Sequence, residues 1–374
     1  MPDAALADLA AQLVAIDSVN PDLVPGGAGE GEIGRFVAEW LERAGLEVDH
    51  WEVAPGRPNV VASTRGRGAG RTLLLNAHLD TVALGGPDGG LQPRLDGGRL
   101  YGRGAYDMKA SLALIMLAGA ALSERDLAGD VLVTAVADEE YGSIGTEALL
   151  ERYRADAAIV VEPTELGVVI AHRGFAGFEI ETAGVAAHGS RPDLGVDAIR
   201  KMGPVLVALD ELDERLRADA SHPLLGSGSL HASLIEGGQE LSAYPERCLL
   251  TGERRTLPGE SLQQVERELR GLGREADVRV TIAREPFAVS EDEEIVRLVR
   301  KRSGGELKGA PFWADSGLFA AVGIPTVLYG PAGEGAHAAV EWVDLSSAER
   351  VLDVVVEVAE TFCRSPSPSL GSSQ

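Results

Sequence analysis

The first half of the chain alternates two hydrophobic textures. Leu6 to Ile16 and Ile33 to Gly45 carry apolar residues at helical spacing, and Gly45 supplies the usual helix stop. Asn59-Val60-Val61-Ala62 and Thr72-Leu73-Leu74-Leu75 are short apolar runs bounded by Gly and Arg turns, which predict buried strands. An Ala/Leu-rich helix is expected from Met108 to Ser123, then buried strands at Val131 to Ala137 and Ala157 to Val161. Strand and helix in alternation predict an α/β domain with a mostly parallel sheet covered on both faces by helices.

From about Phe175 the pattern changes. Phe178-Glu179-Ile180-Glu181-Thr182 alternates apolar and polar, as a half-solvated strand does. A long helix is predicted at Val196 to Arg217, strands at His231 to Ile235 and Arg247 to Arg255, a helix at Ser261 to Leu272 and a strand at Asp277 to Ala283. That order, β-α-β-β-α-β, belongs to a ferredoxin-like α+β unit. After Pro286 the first texture returns, with a helix at Glu291 to Arg302 and a strand at Pro325 to Tyr329. The expected organisation is one domain at residues 1–174 and 286–364, interrupted by an inserted α+β domain at 175–285. Residues 365–374, rich in Ser and Pro, are expected to form a disordered tail.

Composition narrows the class of protein. Hydrophobic residues make up 45% of the 374 and charged residues 25%, the balance of a globular chain. With 58 acidic against 34 basic residues the formal charge is −24, which repels nucleic acid and anionic membranes. No apolar run is expected to reach the ~20 residues of a membrane span. Met1-Pro2-Asp3-Ala4 lacks the basic patch and apolar stretch of a secretory signal. Cys248 and Cys363 alone give no disulfide framework, so a soluble protein of the reducing cytoplasm is expected.

The chemistry-bearing residues gather where predicted strands run out. His78 and Asp80 follow the run at 72–75, and period-2 geometry lets Asp80 accept the second ring N–H of a metal-bound His78. Asp107 lies in Gly102-Arg103-Gly104-Ala105-Tyr106-Asp107, immediately before a helix. Asp138-Glu139-Glu140 closes one strand, Glu162-Pro163-Thr164 closes another, and His337 lies in a Gly-rich segment after the last. In open parallel sheets, sites form outside the carboxyl ends of strands, so these loops are expected to converge. Two His and three carboxylates suit a pair of zinc-like ions with one carboxylate bridging them. A water between two such ions loses its proton near neutral pH, and one carboxylate must stay unligated to shuttle that proton. Of the neighbours Glu139 and Glu140, one can bind metal while the other faces the water. His337 and Glu341 are four apart, but the Gly-rich stretch before them argues against a helix there.

Other features carry less. A single acidic residue at a strand end is ordinarily a helix cap or a solvated loop residue; the joint occurrence of these positions gives them weight. His50, His172, His222 and His231 are read as surface or satisfied polar residues. Gly29-Glu30-Gly31-Glu32-Ile33-Gly34 matches the dinucleotide pattern G-x-G-x-x-G. It follows a Pro-rich loop instead of a strand, however, and its glutamates would repel a pyrophosphate.

Taken in order, these segments resemble the M20 metallopeptidase family, the group of acetylornithine deacetylase, succinyl-diaminopimelate desuccinylase, aminoacylase and glutamate carboxypeptidase. The likeness runs through Ser18-Val19-Asn20-Pro21, Asn76-Ala77-His78-Leu79-Asp80-Thr81-Val82, Gly102 to Lys109 and Asp138-Glu139-Glu140-Tyr141-Gly142-Ser143. It continues through Val161-Glu162-Pro163-Thr164, Ala187-His188-Gly189-Ser190-Arg191-Pro192, Arg255-Thr256-Leu257-Pro258-Gly259 and Ala336-His337. The resemblance implies that Asp107 bridges two divalent metals, zinc first with cobalt or manganese as alternatives. His78 and Glu162 would complete one site, Glu140 and His337 the other. Glu139 would be general base and acid, and Asp80 would orient His78. The inserted unit would be a lid that mediates a homodimer, with His188 reaching the partner subunit's site to stabilise the oxyanion. Arg255 would hold the substrate carboxylate.

The chain also departs from the family pattern. Ala110-Ser111 replaces the common Gly-Gly, and Ser242-Ala243-Tyr244-Pro245 stands where Asn-Val-Ile-Pro is usual, so Ser242 takes the place of a substrate-binding Asn. Glu162, where others have Asp, points to the deacylase and carboxypeptidase branches. The expected function is hydrolysis of an N-acetyl or N-succinyl amino acid. A carboxypeptidase or dipeptidase with the same metals is the first alternative, and a non-catalytic metal-binding homologue the second.

Overall fold

In the computed structural model, described here for residues 2–68, 70–85, 90–273 and 276–364, with side chains from residue 5 onward, the chain divides into two compact units. Unit 1 comprises Met1–Ile170, Val289–Lys308 and Ala314–Gln374; unit 2 comprises Ala171–Ala288 and Gly309–Trp313. The tail expected at 365–374 lies outside the described residues.

Unit 1 opens with helices α1 (Pro2–Val14) and α2 (Gly31–Arg43), then strands β1 (Glu47–Ala54), β2 (Arg57–Thr64), β3 (Leu73–His78), β4 (Arg94–Asp96) and β5 (Arg99–Tyr101). A wide turn at Ala105–Lys109 leads into α3 (Ala110–Ser123), followed by β6 (Val131–Val136), α4 (Ile144–Arg152), β7 (Ala157–Val160) and β8 (Val168–His172). Unit 2 contributes β9 (Gly174–Ala183), α5 (Ala198–Ala218), β10 (Ser229–Gly237), β11 (Arg247–Thr256), α6 (Leu262–Arg270), β12 (Ala276–Arg284) and β13 (Phe287–Ala288). The chain closes with α7 (Glu294–Ser303), β14 (Leu307–Ala310), α8 (Ser316–Ala321), β15 (Thr326–Leu328), β16 (Gly333–Glu334), β17 (Trp342–Asp344) and α9 (Leu345–Arg364).

The main sheet of unit 1 runs β1-β2-β6-β3-β7-β15-β8. Its centre is parallel, β6 to β3, β3 to β7 and β7 to β15, with antiparallel strands on either side. Every residue of β3, β6 and β7 is buried, which is why these strands read as continuous apolar runs. Helix α2 buries Ile33, Val37 and Leu41 along one stripe, and α9 buries Val351, Val355, Val358 and Phe362. Helix α3 is apolar nearly all round because it is enclosed by other elements. Together with the preceding turn, Ala105–Ser123 matches a membrane span in length and hydropathy, yet 78% of it is buried inside the fold. The expectation that no apolar run reaches span length is corrected on this point: the run exists, and it is a core helix.

Unit 2 has the ferredoxin-like order β10-β11-β9-β12, all neighbours antiparallel. Strands β9 and β11 alternate buried and part-exposed residues, so Phe178, Ile180 and Leu250 face a separate core with Met202, Val205 and Leu209 of α5 and Val265 and Leu269 of α6. Asp197 and Ser261 cap α5 and α6, each accepting a backbone N–H three residues on. Gly252 leaves room for the Phe178 ring; a Cβ there would lie 2.4 Å from it.

Candidate metal centre

Parallel pairing brings the chemical residues to one edge. In the ladder β6-β3-β7, His78 pairs with Val136, so β3 and β6 end level, and Asn76 pairs with Val160, so β7 ends two residues short and Glu162 follows at the level of His78. His78 is the last residue of β3, Asp138-Glu139-Glu140 follows β6, and Glu162 follows β7. The wide turn before α3 delivers Asp107; its Lys109 N–H closes back on the Gly104 carbonyl at 2.7 Å. Gly104 has φ 74°, a left-handed conformation that glycine adopts without strain. His337 enters from the loop after β16, itself at φ 62°.

Asp107 lies between the two imidazoles. Its Oδ1 is 3.1 Å from His78 Nε2 and its Oδ2 is 3.4 Å from His337 Nε2, so each oxygen faces a different ring. His337 Nε2 also lies 3.0 Å from Glu140 Oε2. The ligand atoms of His78, Glu139 and Glu162 lie within 4.8 Å of one another, as do those of His78, Asp107 and Glu140. Both groups are suited to hold a metal ion by atom type and spacing.

The electrostatics favour cations here. Burial, followed by repulsion from neighbouring carboxylates, lifts Glu139 and Glu162 well above the usual carboxylate range and raises Glu140 as well. Burial acts against His78, but hydrogen bonds to Asp107 and Asp80 raise it well above its ordinary value. Asp107, followed by Glu140, pushes His337 up to about 10. Burial raises Asp107, yet hydrogen bonds from His337 and His78 hold it well below its ordinary value. Crowded carboxylates with only two imidazoles among them are relieved by bound positive charge. Glu140 Oε1 is buried and has no hydrogen-bond partner, an orphaned acceptor that a cation would satisfy. The residues present therefore fit a pair of divalent ions.

A second layer holds these groups. The expected Asp80–His78 contact takes a different form: His78 Nδ1 is 2.9 Å from the Asp80 backbone carbonyl and 3.4 Å from its carboxylate Oδ1. Asp80 lies beyond the end of β3, where strand alternation no longer sets its direction. Its carboxylate accepts the backbone N–H groups of Glu139 and Glu140, both at 3.1 Å, and a bond from Asn20 at 2.7 Å. Glu341 is 4% exposed and accepts the backbone N–H groups of Gly104, Tyr106 and Asp107 at 2.9–3.0 Å, while Arg103 donates to it at 2.8 Å. It acts as a buried clasp on the turn that presents Asp107, with no helix linking it to His337. Asp315, fully buried and bonded by Thr146 Oγ1 at 2.6 Å, adds negative charge that raises Glu139 and Glu162 further. Sequence reading assigned no role to Asn20, Glu341 or Asp315. The Asn20 motif was visible, but its partners were not.

The remaining predicted residues belong to unit 2. His188 and Ser242 are brought together there: His188 bridges Ala243, the Gly189 N–H donates to the Ser242 carbonyl at 2.7 Å, and Tyr244 N–H to Ala187 at 2.8 Å. The Ser190 backbone N–H donates to His188 Nδ1 at 3.2 Å, which makes Nδ1 an acceptor and leaves Nε2 to carry the ring proton. Arg255 lies on β11, its Nε 2.5 Å from Glu253 Oε1 and its guanidinium over the Phe175 ring at 5.6 Å. His172 is buried, stacked on Phe287 at 5.0 Å with Nδ1 2.9 Å from the Arg173 carbonyl.

The chain is similar to known proteins along nearly its whole length. A chain described as acetylornithine deacetylase from Myxococcus xanthus is 30% identical over 94% of this chain and 96% of its own length. One described as N-formyl-4-amino-5-aminomethyl-2-methylpyrimidine deformylase from Halalkalibacterium halodurans is 27% identical over 88% of each chain. Among solved structures, a tripeptidase from Staphylococcus aureus shares the fold with a TM-score of 0.79 and 22% identity, covering 97% of this chain and 99% of the other. The profile of peptidase family M20/M25/M40 matches residues 74–361. That span holds the residues of the candidate metal centre, and the chain belongs to this family.

Proposed function

We propose that this protein is a dinuclear-metal amide hydrolase that removes an acetyl or succinyl group from an N-acyl amino acid. The observation that carries the reading is Asp107, whose two oxygens face His78 and His337 separately. The similarity to an acetylornithine deacetylase over nearly the whole chain supports the acyl amino acid class. His78 and Glu162 would hold one ion and Glu140 and His337 the other, with Asp107 shared. Glu140 is assigned as the ligand over Glu139 because His337 touches Glu140. Zinc suits this donor set best, with cobalt and manganese next. Bound there, the ions supply a Lewis acid for the acyl carbonyl and make a water acidic near neutral pH.

The chain's own residues do the rest. Glu139 takes the proton of the attacking water and returns it to the departing amine nitrogen. Burial, followed by repulsion from Glu162, raises its carboxyl, and bound cations would offset that rise so that Glu139 starts ionised and can take the proton. Arg255 presents a guanidinium to the substrate carboxylate, which must compete with Glu253 for it. His188, reaching the partner subunit's site in a homodimer formed through the inserted lid, donates its Nε2–H to the developing oxyanion, an interaction worth about 2.7–4 kcal/mol. Ser242, in the segment paired with that of His188, is proposed as a substrate-binding residue. The cytoplasm is the proposed compartment.

Two measurements test the reading. Elemental analysis of zinc-reloaded protein should find close to two metals per chain. A panel of N-acetyl, N-succinyl and dipeptide amides should show hydrolysis restored by metal for the N-acyl class; turnover of dipeptides alone would favour the peptidase alternative. Glu139→Ala should keep its metal while kcat falls about 10²–10⁴-fold, and undiminished turnover would remove Glu139 as the base.

A further inference from the structure

We infer that Arg57 is a positioning residue for the segment Asp138-Glu139-Glu140, acting through the buried carboxylates of Glu30 and Asp138; the inference rests on the reading of Glu139 as base and Glu140 as ligand. Arg57 opens β2 with its side chain 5% exposed, and Glu30, immediately before α2, is fully buried. The guanidinium grips Glu30 with two nitrogens: Nη2 lies 2.8 Å from Oε1, and Nε bonds Oε2. Nη2 also donates to Asp138 Oδ1 at 2.9 Å, and Nη1 reaches the more exposed Asp22 at 2.6 Å.

These contacts continue into the metal centre. Glu30 Oε1 accepts the backbone N–H of Asp138 at 3.2 Å. Asn20 Nδ2 ties Asp138 Oδ1, at 2.9 Å, to Asp80 Oδ2, at 2.7 Å. Asp80 in turn accepts the backbone N–H groups of Glu139 and Glu140. Three successive N–H groups of one turn thus end on two buried carboxylates, Glu30 and Asp80. The turn needs such anchorage because Asp138 has φ 69°, a conformation a non-glycine residue keeps only when its surroundings impose it.

Arg57 makes the arrangement tenable. Glu30, Asp138 and Asp80 are all buried and of like charge, and Arg57 supplies the cation that two of them share. Without it, Glu30 must take up a proton or move, and the Asp138 N–H loses a firm acceptor. Displacement of a reacting group by about 1 Å is enough to cost roughly 10²-fold in rate. The fork geometry matters as well as the charge, because one nitrogen serves two acceptors while another grips the far oxygen of Glu30.

The test uses the zinc-loaded protein carrying Arg57→Met, Arg57→Lys or Glu30→Gln, with kcat, KM and zinc affinity measured by competition with a chelator. Arg57→Met should lower kcat and zinc affinity about 10–100-fold each, the range for groups that orient metal ligands, while KM moves little. Arg57→Lys should recover part of both, since a point charge replaces the fork. If Arg57→Met does not fold, the lysine and glutamine variants carry the same comparison. A fall in thermal stability with kcat and zinc affinity unchanged overturns the inference and leaves Arg57 as a structural ion pair. A failure of the Glu139 assignment would register separately, as full turnover by Glu139→Ala, with the zinc affinity of the Arg57 variants still reporting on Glu140.

Discussion

Glu30 is fully buried, and burial pushes its carboxyl up to about 7 although the Arg57 guanidinium beside it pulls the other way. A folded-state value above the ordinary 4.5 means that the folded form binds this proton more tightly than the unfolded chain does. The resulting stability is complete below pH 4.5 and is lost as pH rises through 7. The shift corresponds to at most about 3 kcal/mol. Urea unfolding of metal-stripped wild type and Glu30→Gln checks it: the wild-type advantage should shrink between pH 5 and pH 8, and a constant difference would sink the assignment. At this scale the His and carboxylate residues that meet in the candidate site were legible, because they follow apolar runs in a recognisable order. Arg57 and Glu30 were not legible: nothing in a single sequence marks which arginine is buried against which acid. Glu30 even sat inside a pattern rejected as a nucleotide loop, and its true partner is the guanidinium 27 residues on.

The wide turn at Ala105–Lys109 shows how an element depends on distant residues. N–H groups of this turn and of Gly104 before it converge on Glu341, more than 230 positions away, and Arg103, just ahead of the turn, neutralises that carboxylate. Glu341→Ala should therefore leave Arg103 buried without its anion, a loss of about 3–5 kcal/mol. It should also weaken zinc binding about 10–100-fold, because Asp107 loses its support. Calorimetric zinc titration of the variant checks this, and undiminished affinity would show that the turn holds Asp107 unaided. Long buried strands and amphipathic helices were predictable because burial imposes their period on the sequence. Short strands such as β4, β5, β16 and β17 were not, since two or three residues carry no period and form only where their partners lie. Helix α9 also fell outside the predicted elements, although its buried stripe at Val351, Val355, Val358 and Phe362 has helical spacing.

Each unit of the whole molecule has its own hydrophobic core, one around β3, β6 and α3 and one around Phe178, Ile180 and Leu250. All the proposed ligands belong to unit 1, so metal should stabilise that unit selectively. Calorimetry should resolve two transitions, with zinc at 100 times its Kd adding about 2.7 kcal/mol per site, hence about 5 kcal/mol for the two sites, to one of them, equivalent to about 10–20 °C. Equal shifts in both transitions would mean that the cores unfold as one. The sequence by itself determined the fold class, the inserted β-α-β-β-α-β order and the residue types that meet in the candidate metal centre, because periodicity and strand-end motifs are local properties. Only the tertiary structure decided that Asp107 stands between two imidazoles, that Asp80 holds the Glu139 and Glu140 backbone, and that Arg57 and Glu341 lie behind them. Those arrangements depend on hydrogen bonds between segments far apart in the chain, and no local pattern encodes where such segments cross.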